Sequence, residues 1–245
     1  MPFTTLGPLN LAGFESRQVW VYSPPGDSPD QQRPLLVLLD GQNAFEFGPS
    51  GGWESHRALE QLDPRRAVIP RVVAVPHGQA RADELCPWPT WPGGPGGRAF
   101  HFFDNLADRV LPQVRDRFHT PQGAIGAVLG GASWGGMAAL VGHYARPDAF
   151  GGSLCLSPAF WVGRFATMDW LDAQPTPRFS RIYVDCGMRE AGGRMYPAAE
   201  RMVQKLRDRG YPARQLQWTG DPEGTHSEAS WRRRLPEALH FMYGN

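Results

Sequence analysis

Apolar residues in this chain fall into short unbroken runs, separated by segments in which they recur every third or fourth position. The longest run, Leu35 to Leu39, is opened by Pro34 and closed by Asp40. An uninterrupted apolar stretch of that length is what a strand buried on both faces requires. Arg71 to Val75 between two prolines, Ala124 to Gly130, Ser153 to Leu156, Ile182 to Asp185 and Gln215 to Thr219 repeat it. Phe14 to Tyr22, rich in β-branched and aromatic residues, reads as an earlier strand. Helical spacing appears between these runs. It is carried by Trp53, Ala58, Leu59 and Leu62 within 51–65, and by Phe103, Leu106, Val110 and Val114. It continues in the small-residue stretch Met137 to Tyr144, in Met202, Val203 and Leu206 within 197–209, and in Trp231, Leu235, Leu239 and Met242. Gly210 ends the fourth of these.

Strand and helix thus alternate from about residue 34. The pattern predicts a mainly parallel sheet covered by helices on both faces, preceded by antiparallel N-terminal strands. The fold class expected is α/β, in one domain over residues 1–245. One segment fits neither period: His77 to Gly97, rich in Pro, Gly and Trp, reads as a long irregular loop. Such loops are usually functional or disordered, and Trp88 and Trp91 argue against disorder, because large aromatics seldom remain free in solvent.

Composition narrows the classes. Of 245 residues 41% are hydrophobic, enough for a sizeable core, and 25 Lys and Arg nearly balance 24 Asp and Glu. A formal charge of +1 argues against nucleic-acid binding, which needs a basic footprint. Arg232, Arg233 and Arg234 form a basic run that reads as one solvated helix face. Met1 to Thr5 shows no basic-then-apolar leader, and no apolar stretch is long enough for a membrane span. Cys86, Cys155 and Cys186 are odd in number and lack metal-type spacing. The expectation is a reduced, cytoplasmic protein with free thiols, no metal and no membrane or nucleic-acid partner.

The chemistry centres on Gly131-Ala132-Ser133-Trp134-Gly135, a G-x-S-x-G between an apolar strand and a helix. That context marks a nucleophile elbow, and with the predicted sheet it points to an α/β-hydrolase fold. A turn this sharp strains the serine, and glycines two residues to either side relieve clashes. The helix N-terminus then favours an anion developing beside the serine. The base should be a histidine late in the chain. His143 and His240 lie on helices, whereas His226 sits in a loop after the last strand, so His226 is the candidate. Asp185 and Glu190 both follow the preceding strand. Glu190 is preferred, because it lies beyond the Gly187 turn and can reach back to the imidazole.

These motifs, together with others, resemble the putative-esterase group that contains enterochelin esterases, esterase D and the mycolyltransferases. The resemblance rests on Leu39 to Phe45, on Arg81 with Glu84, Leu85 and Pro87, and on Gly131 to Gly136. It continues in Ser157-Pro158 with Phe160-Trp161, in Gly187 to Glu190, and in His226-Ser227-Glu228 with Trp231. It implies an acid three residues after Gly187, which is Glu190, and oxyanion donors at the backbone N–H groups of Gln42 and Trp134. It implies no cofactor. Candidate pocket residues are Asp40, Arg81, Trp88, Trp91 and Trp161. Arg189 is a further basic residue near the site motifs.

The expected function is hydrolysis of a small-molecule carboxylic ester through an acyl-enzyme on Ser133. Acyl transfer uses the same residues and is the alternative. A non-catalytic hydrolase-fold binding protein is the rival from another class, and the intact set Ser133, Glu190 and His226 argues against it. Oligomeric state is open.

Overall fold

A computed structural model describes residues 2–28, 30–46 and 51–244. Eight strands, β1 (Phe3–Leu9), β2 (Arg17–Tyr22), β3 (Leu35–Leu39), β4 (Arg71–Val75), β5 (Ala127–Ala132), β6 (Gly152–Leu156), β7 (Arg181–Gly187) and β8 (Leu216–Asp221), belong to one sheet. Their order across it is β1-β2-β4-β3-β5-β6-β7-β8. β1 and β2 are antiparallel to each other, and β2 is antiparallel to β4. All later neighbours are parallel.

Every residue of β3 and β4 is buried, because helices cover both faces. Alternation along β3 sends Leu35, Val37 and Leu39 to one layer and Leu36 and Leu38 to the other, the two-residue period of a strand. Burying each such side chain contributes roughly 1.5–3 kcal/mol. Into the first layer pack α3 (Ala99–Asn105), α4 (Leu111–Arg117), α5 (Trp134–Ala145) and α7 (Met195–Asp208). Into the second pack α1 (Ser55–Glu60) and α8 (Glu228–Tyr243).

Several elements depart from the sequence reading. The third apolar run becomes a strand only at Ala127, because Ala124–Gly126 form a 3₁₀ turn. The irregular segment contains α2 (Arg81–Leu85). This short helix is held by Glu84, which accepts two hydrogen bonds of 2.7 Å from Arg17 on β2. α6 (Ala166–Asp172) has no counterpart in the sequence pattern, since Met168 and Leu171 alone are too few to mark a helical period. The arginine run is not one solvated face. Arg234 is only 4% exposed, beneath the carboxyl ends of β7 and β8, and pairs with Asp185 and Asp221. Trp231, Arg234, Leu235 and Ala238 lie three and four apart on α8, so Arg234 belongs to its inward stripe.

Parallel strands end at the same edge, so the turns after β3, β5, β6, β7 and β8 gather there. That edge is where open α/β sheets bind ligands.

Candidate active site

Ser133 stands between β5 and α5 with φ 57° and ψ −119°, a backbone region that a side-chain-bearing residue enters only under constraint. The constraint is visible. The Ser133 N–H donates to Leu156 O at 2.9 Å, and its carbonyl accepts from the Ala159 N–H at 3.0 Å. A Cβ on Gly131 would come within 2.7 Å of the Gly135 backbone, so glycine is required there. At Gly135 the sequence expectation needs correction. A Cβ would meet nothing closer than Asp40 Oδ2 at 3.4 Å, an ordinary contact.

The three side chains named for catalysis lie in one line. Ser133 Oγ is 3.0 Å from His226 Nε2, and His226 Nδ1 is 2.8 Å from Glu190 Oε2. With the carboxylate accepting, Nδ1 carries the imidazole proton and the Nε2 lone pair faces the serine hydroxyl. The imidazole is about one-third exposed and Glu190 fully buried. The His226 loop is shaped by bonds of the Met188 N–H to Asp221 O and of the Arg189 N–H to Gly224 O. Ser227 caps α8, its hydroxyl accepting from the Ser230 N–H. Glu228 is the first residue of that helix.

Glu190 takes two further donors on Oε1, the Gly187 N–H at 2.8 Å and the Ser157 hydroxyl at 2.6 Å. Burial alone would raise its pKa. The bonds from His226, Ser157 and Gly187 outweigh that, and the carboxyl titrates below its ordinary value. Asp185 differs: it is fully buried, bonds the Ser157 N–H at 2.9 Å, and burial pushes it up to about 6.

Gln42 follows β3 and Trp134 follows β5, two neighbouring parallel strands that end at the same edge. Trp134 opens α5, so its N–H has no acceptor within the helix. Gln42 lies in a 3₁₀ turn, Gly41–Asn43, behind Asp40 in the left-handed region (φ 53°). A Cβ on Gly41 would sit 2.3 Å from the Val75 nitrogen, so glycine lets this turn lie against β4. Arg81 ties the two turns together. It grips Asp40 through Nε and Nη2 at 2.7 and 2.6 Å, and its guanidinium lies 4.9 Å over the Trp134 ring. Burial opposes its charge, but Asp40 prevails and the Arg81 pKa is raised.

A cavity of about 320 Å³ opens above Ser133. Asp40, Gln42, Arg81 and His226 line it, as do His77 and Glu228, which the sequence did not single out as pocket residues. The tryptophans named for the pocket are not in that lining. Trp88 packs edge-on against Phe100 and Trp170, 6.1 Å from each. Trp91 and Trp161 are exposed. Arg189 is on the surface, paired with Glu223. Among the described residues, no cluster of three or more His, Cys, Asp or Glu side chains could hold a metal ion. No helix there is long and apolar enough to cross a membrane.

Residues 14–242 match the model of a family described as "Putative esterase". The chain is 28% identical over 235 residues to an iron(III) enterobactin esterase of Escherichia coli O6:H1, covering 91% of this chain and 53% of that protein. It therefore spans about half the length of the curated relatives it matches. Among solved structures, the enterobactin esterase of Shigella flexneri superposes with TM-score 0.74 at 22% identity, over 98% of this chain and 58% of that one. A siderophore hydrolase of Aspergillus nidulans superposes with TM-score 0.76 at 18% identity, over 98% and 94%. At those identities the structural likeness establishes the α/β-hydrolase fold.

Proposed function

The chain belongs to the putative esterase family, and from that premise we propose that it hydrolyses carboxylic esters through an acyl-enzyme on Ser133. The observation that carries the reading is the continuous hydrogen-bonded line from Ser133 Oγ through His226 to the buried Glu190. In this mechanism His226 Nε2 takes the serine proton as Oγ attacks the ester carbon. Glu190 keeps the imidazole in the required tautomer and stabilises the imidazolium. The Gln42 and Trp134 N–H groups hold the tetrahedral oxyanion, and the Arg81–Asp40 pair braces the Trp134 ring beside them. The imidazolium then protonates the departing alcohol. Water, activated by the same imidazole, releases the acid.

The cavity walls are polar, with Asp40, Gln42, Arg81, His77 and Glu228 on them, which supports a substrate bearing hydrogen-bonding groups. The first esters to test are those in the relatives' names, iron(III) enterobactin and salmochelin, beside acetyl, longer acyl and feruloyl esters. Among the described residues all eight strands belong to one sheet, which supports one catalytic domain. Three buried, free thiols support a reducing, cytoplasmic setting.

A fluorophosphonate probe tests the mechanism. Label is expected on Ser133, and Ser133→Ala should lower kcat by at least about 10³-fold with the fold intact. Equal labelling of the alanine variant would remove the assignment.

A further inference from the structure

We propose that Ser157 and Arg234 are positioning residues for the acid of the triad: together they hold Glu190 ionised and turned so that its Oε2 faces His226. The inference rests on the hydrolase reading above and deepens it.

A serine hydroxyl has one hydrogen to give and two lone pairs to receive. Two donors that cannot accept are aimed at Ser157 Oγ: Trp231 Nε1–H at 2.8 Å and Arg234 Nη2–H at 2.7 Å. They occupy both lone pairs. The hydroxyl hydrogen is left with the third neighbour, Glu190 Oε1, at 2.6 Å. Ser157 is thereby a donor to Glu190 with a fixed direction. The Gly187 N–H, at 2.8 Å, bonds the same carboxylate oxygen, and Arg234 Nη2 lies 3.5 Å from it. With Oε1 surrounded by donors, Oε2 is the oxygen turned to the imidazole.

The setting makes these bonds matter. Ser157 and Glu190 are fully buried and Arg234 nearly so, and a buried carboxyl without donors tends to the neutral form. Ser157 is itself held at φ 42°, a conformation that costs energy outside glycine. Its N–H is fixed by the Asp185 carboxylate and carbonyl. The charged and titratable groups around Glu190 come from several elements. His226 approaches from the loop before α8, and Arg234 from α8 itself. Asp185 and Cys186 come from β7, and Asp221 from the end of β8. Among these Arg234 carries the one permanent positive charge.

A packing role alone would alter stability and leave proton affinities untouched, so the test reads protonation. The imidazole titration of His226 is followed by NMR in the whole chain. The acid limb of the fluorophosphonate labelling rate is followed in parallel. Ser157→Ala removes a donor to the ionised carboxylate, makes Glu190 more basic, and lets the Glu–His pair take up its proton at higher pH. The His226 midpoint and the acid limb should rise by about one pH unit. Arg234→Gln removes a positive charge and should move both in the same direction. Trp231→Phe frees a lone pair on Ser157, so its hydroxyl can swing away, and a smaller rise is expected. If Arg234→Gln does not fold, the other two variants decide. An unchanged His226 midpoint in Ser157→Ala and Trp231→Phe overturns the proposal. Absence of label on Ser133 in the parent overturns the hydrolase reading instead, and the NMR titration still reports on Glu190.

Discussion

Two carboxylates lie within reach of the site, and their contacts differ in kind. Glu190 touches His226, whereas Asp185 bonds the Ser157 N–H and lies 3.0 Å from Arg234. Glu190→Gln should therefore lower kcat by roughly 10²–10⁴ with little change in KM, because the acid acts mainly in the transition state. Asp185→Asn should do less. Steady-state kinetics on both variants decide, and the reverse order would make Asp185 the acid. Ser133 and His226 should behave as a unit, so the double alanine variant should be scarcely slower than either single one. Losses that multiply would contradict a shared proton transfer.

The elbow is the element on which the site depends, and its two glycines are not equivalent. The Cβ of Gly131→Ala would press on the backbone of Gly135, which has no freedom to yield. Overpacking of this kind typically costs about 1–3 kcal/mol. Gly135→Ala meets only ordinary contacts, and alanine is favoured over glycine in a helix by up to about 1 kcal/mol. Thermal melting should show a clear fall for Gly131→Ala and a level or slightly raised midpoint for Gly135→Ala. Equal falls would mean that the turn is tighter at Gly135 than its surroundings imply. The G-x-S-x-G pattern makes both positions look alike; only the packing of Asp40 and Leu39 beside α5 separates them.

Over the whole molecule, pH acts on stability through buried groups that take no part in the proton transfer. His143 on α5 is fully buried, donates from Nδ1 to Phe150 O at 2.8 Å, and accepts from the Ser180 hydroxyl at 2.7 Å. Burial lowers its pKa from 6.5 to about 4. The unfolded chain thus binds a proton that the folded chain refuses. This contribution is complete above about pH 6.5 and is lost as pH falls towards 4, to the extent of about 3 kcal/mol. Asp185, raised to about 6, works in the opposite sense over an overlapping range. The difference between the parent and His143→Gln isolates the histidine. Denaturant unfolding at pH 7 and pH 4.5 should show a smaller loss on acidification for the variant. Parallel losses would mean that His143 is protonated in the folded state.

The amino-acid sequence determined what depends on local pattern. An apolar run must be covered on both faces, so Leu35–Leu39 and its repeats specify a sandwiched sheet whatever packs above it. A glycine pair around a serine, between strand and helix, specifies an elbow, and the place of His226 after the last strand specifies which histidine can reach it. Contacts across the fold were decided only by tertiary structure. Arg234 meets Ser157 from 77 positions away, and which of three consecutive arginines turns inward depends on how α8 is rotated against the sheet. The stripe of Trp231, Leu235 and Ala238 held that signal, but a run of like charges hid it. Trp88 was sorted the same way: its composition suits a pocket wall, yet Phe100 and Trp170 claim it. A side chain's type says what it can bind, whereas the neighbours it meets are set by the packing of elements distant in sequence.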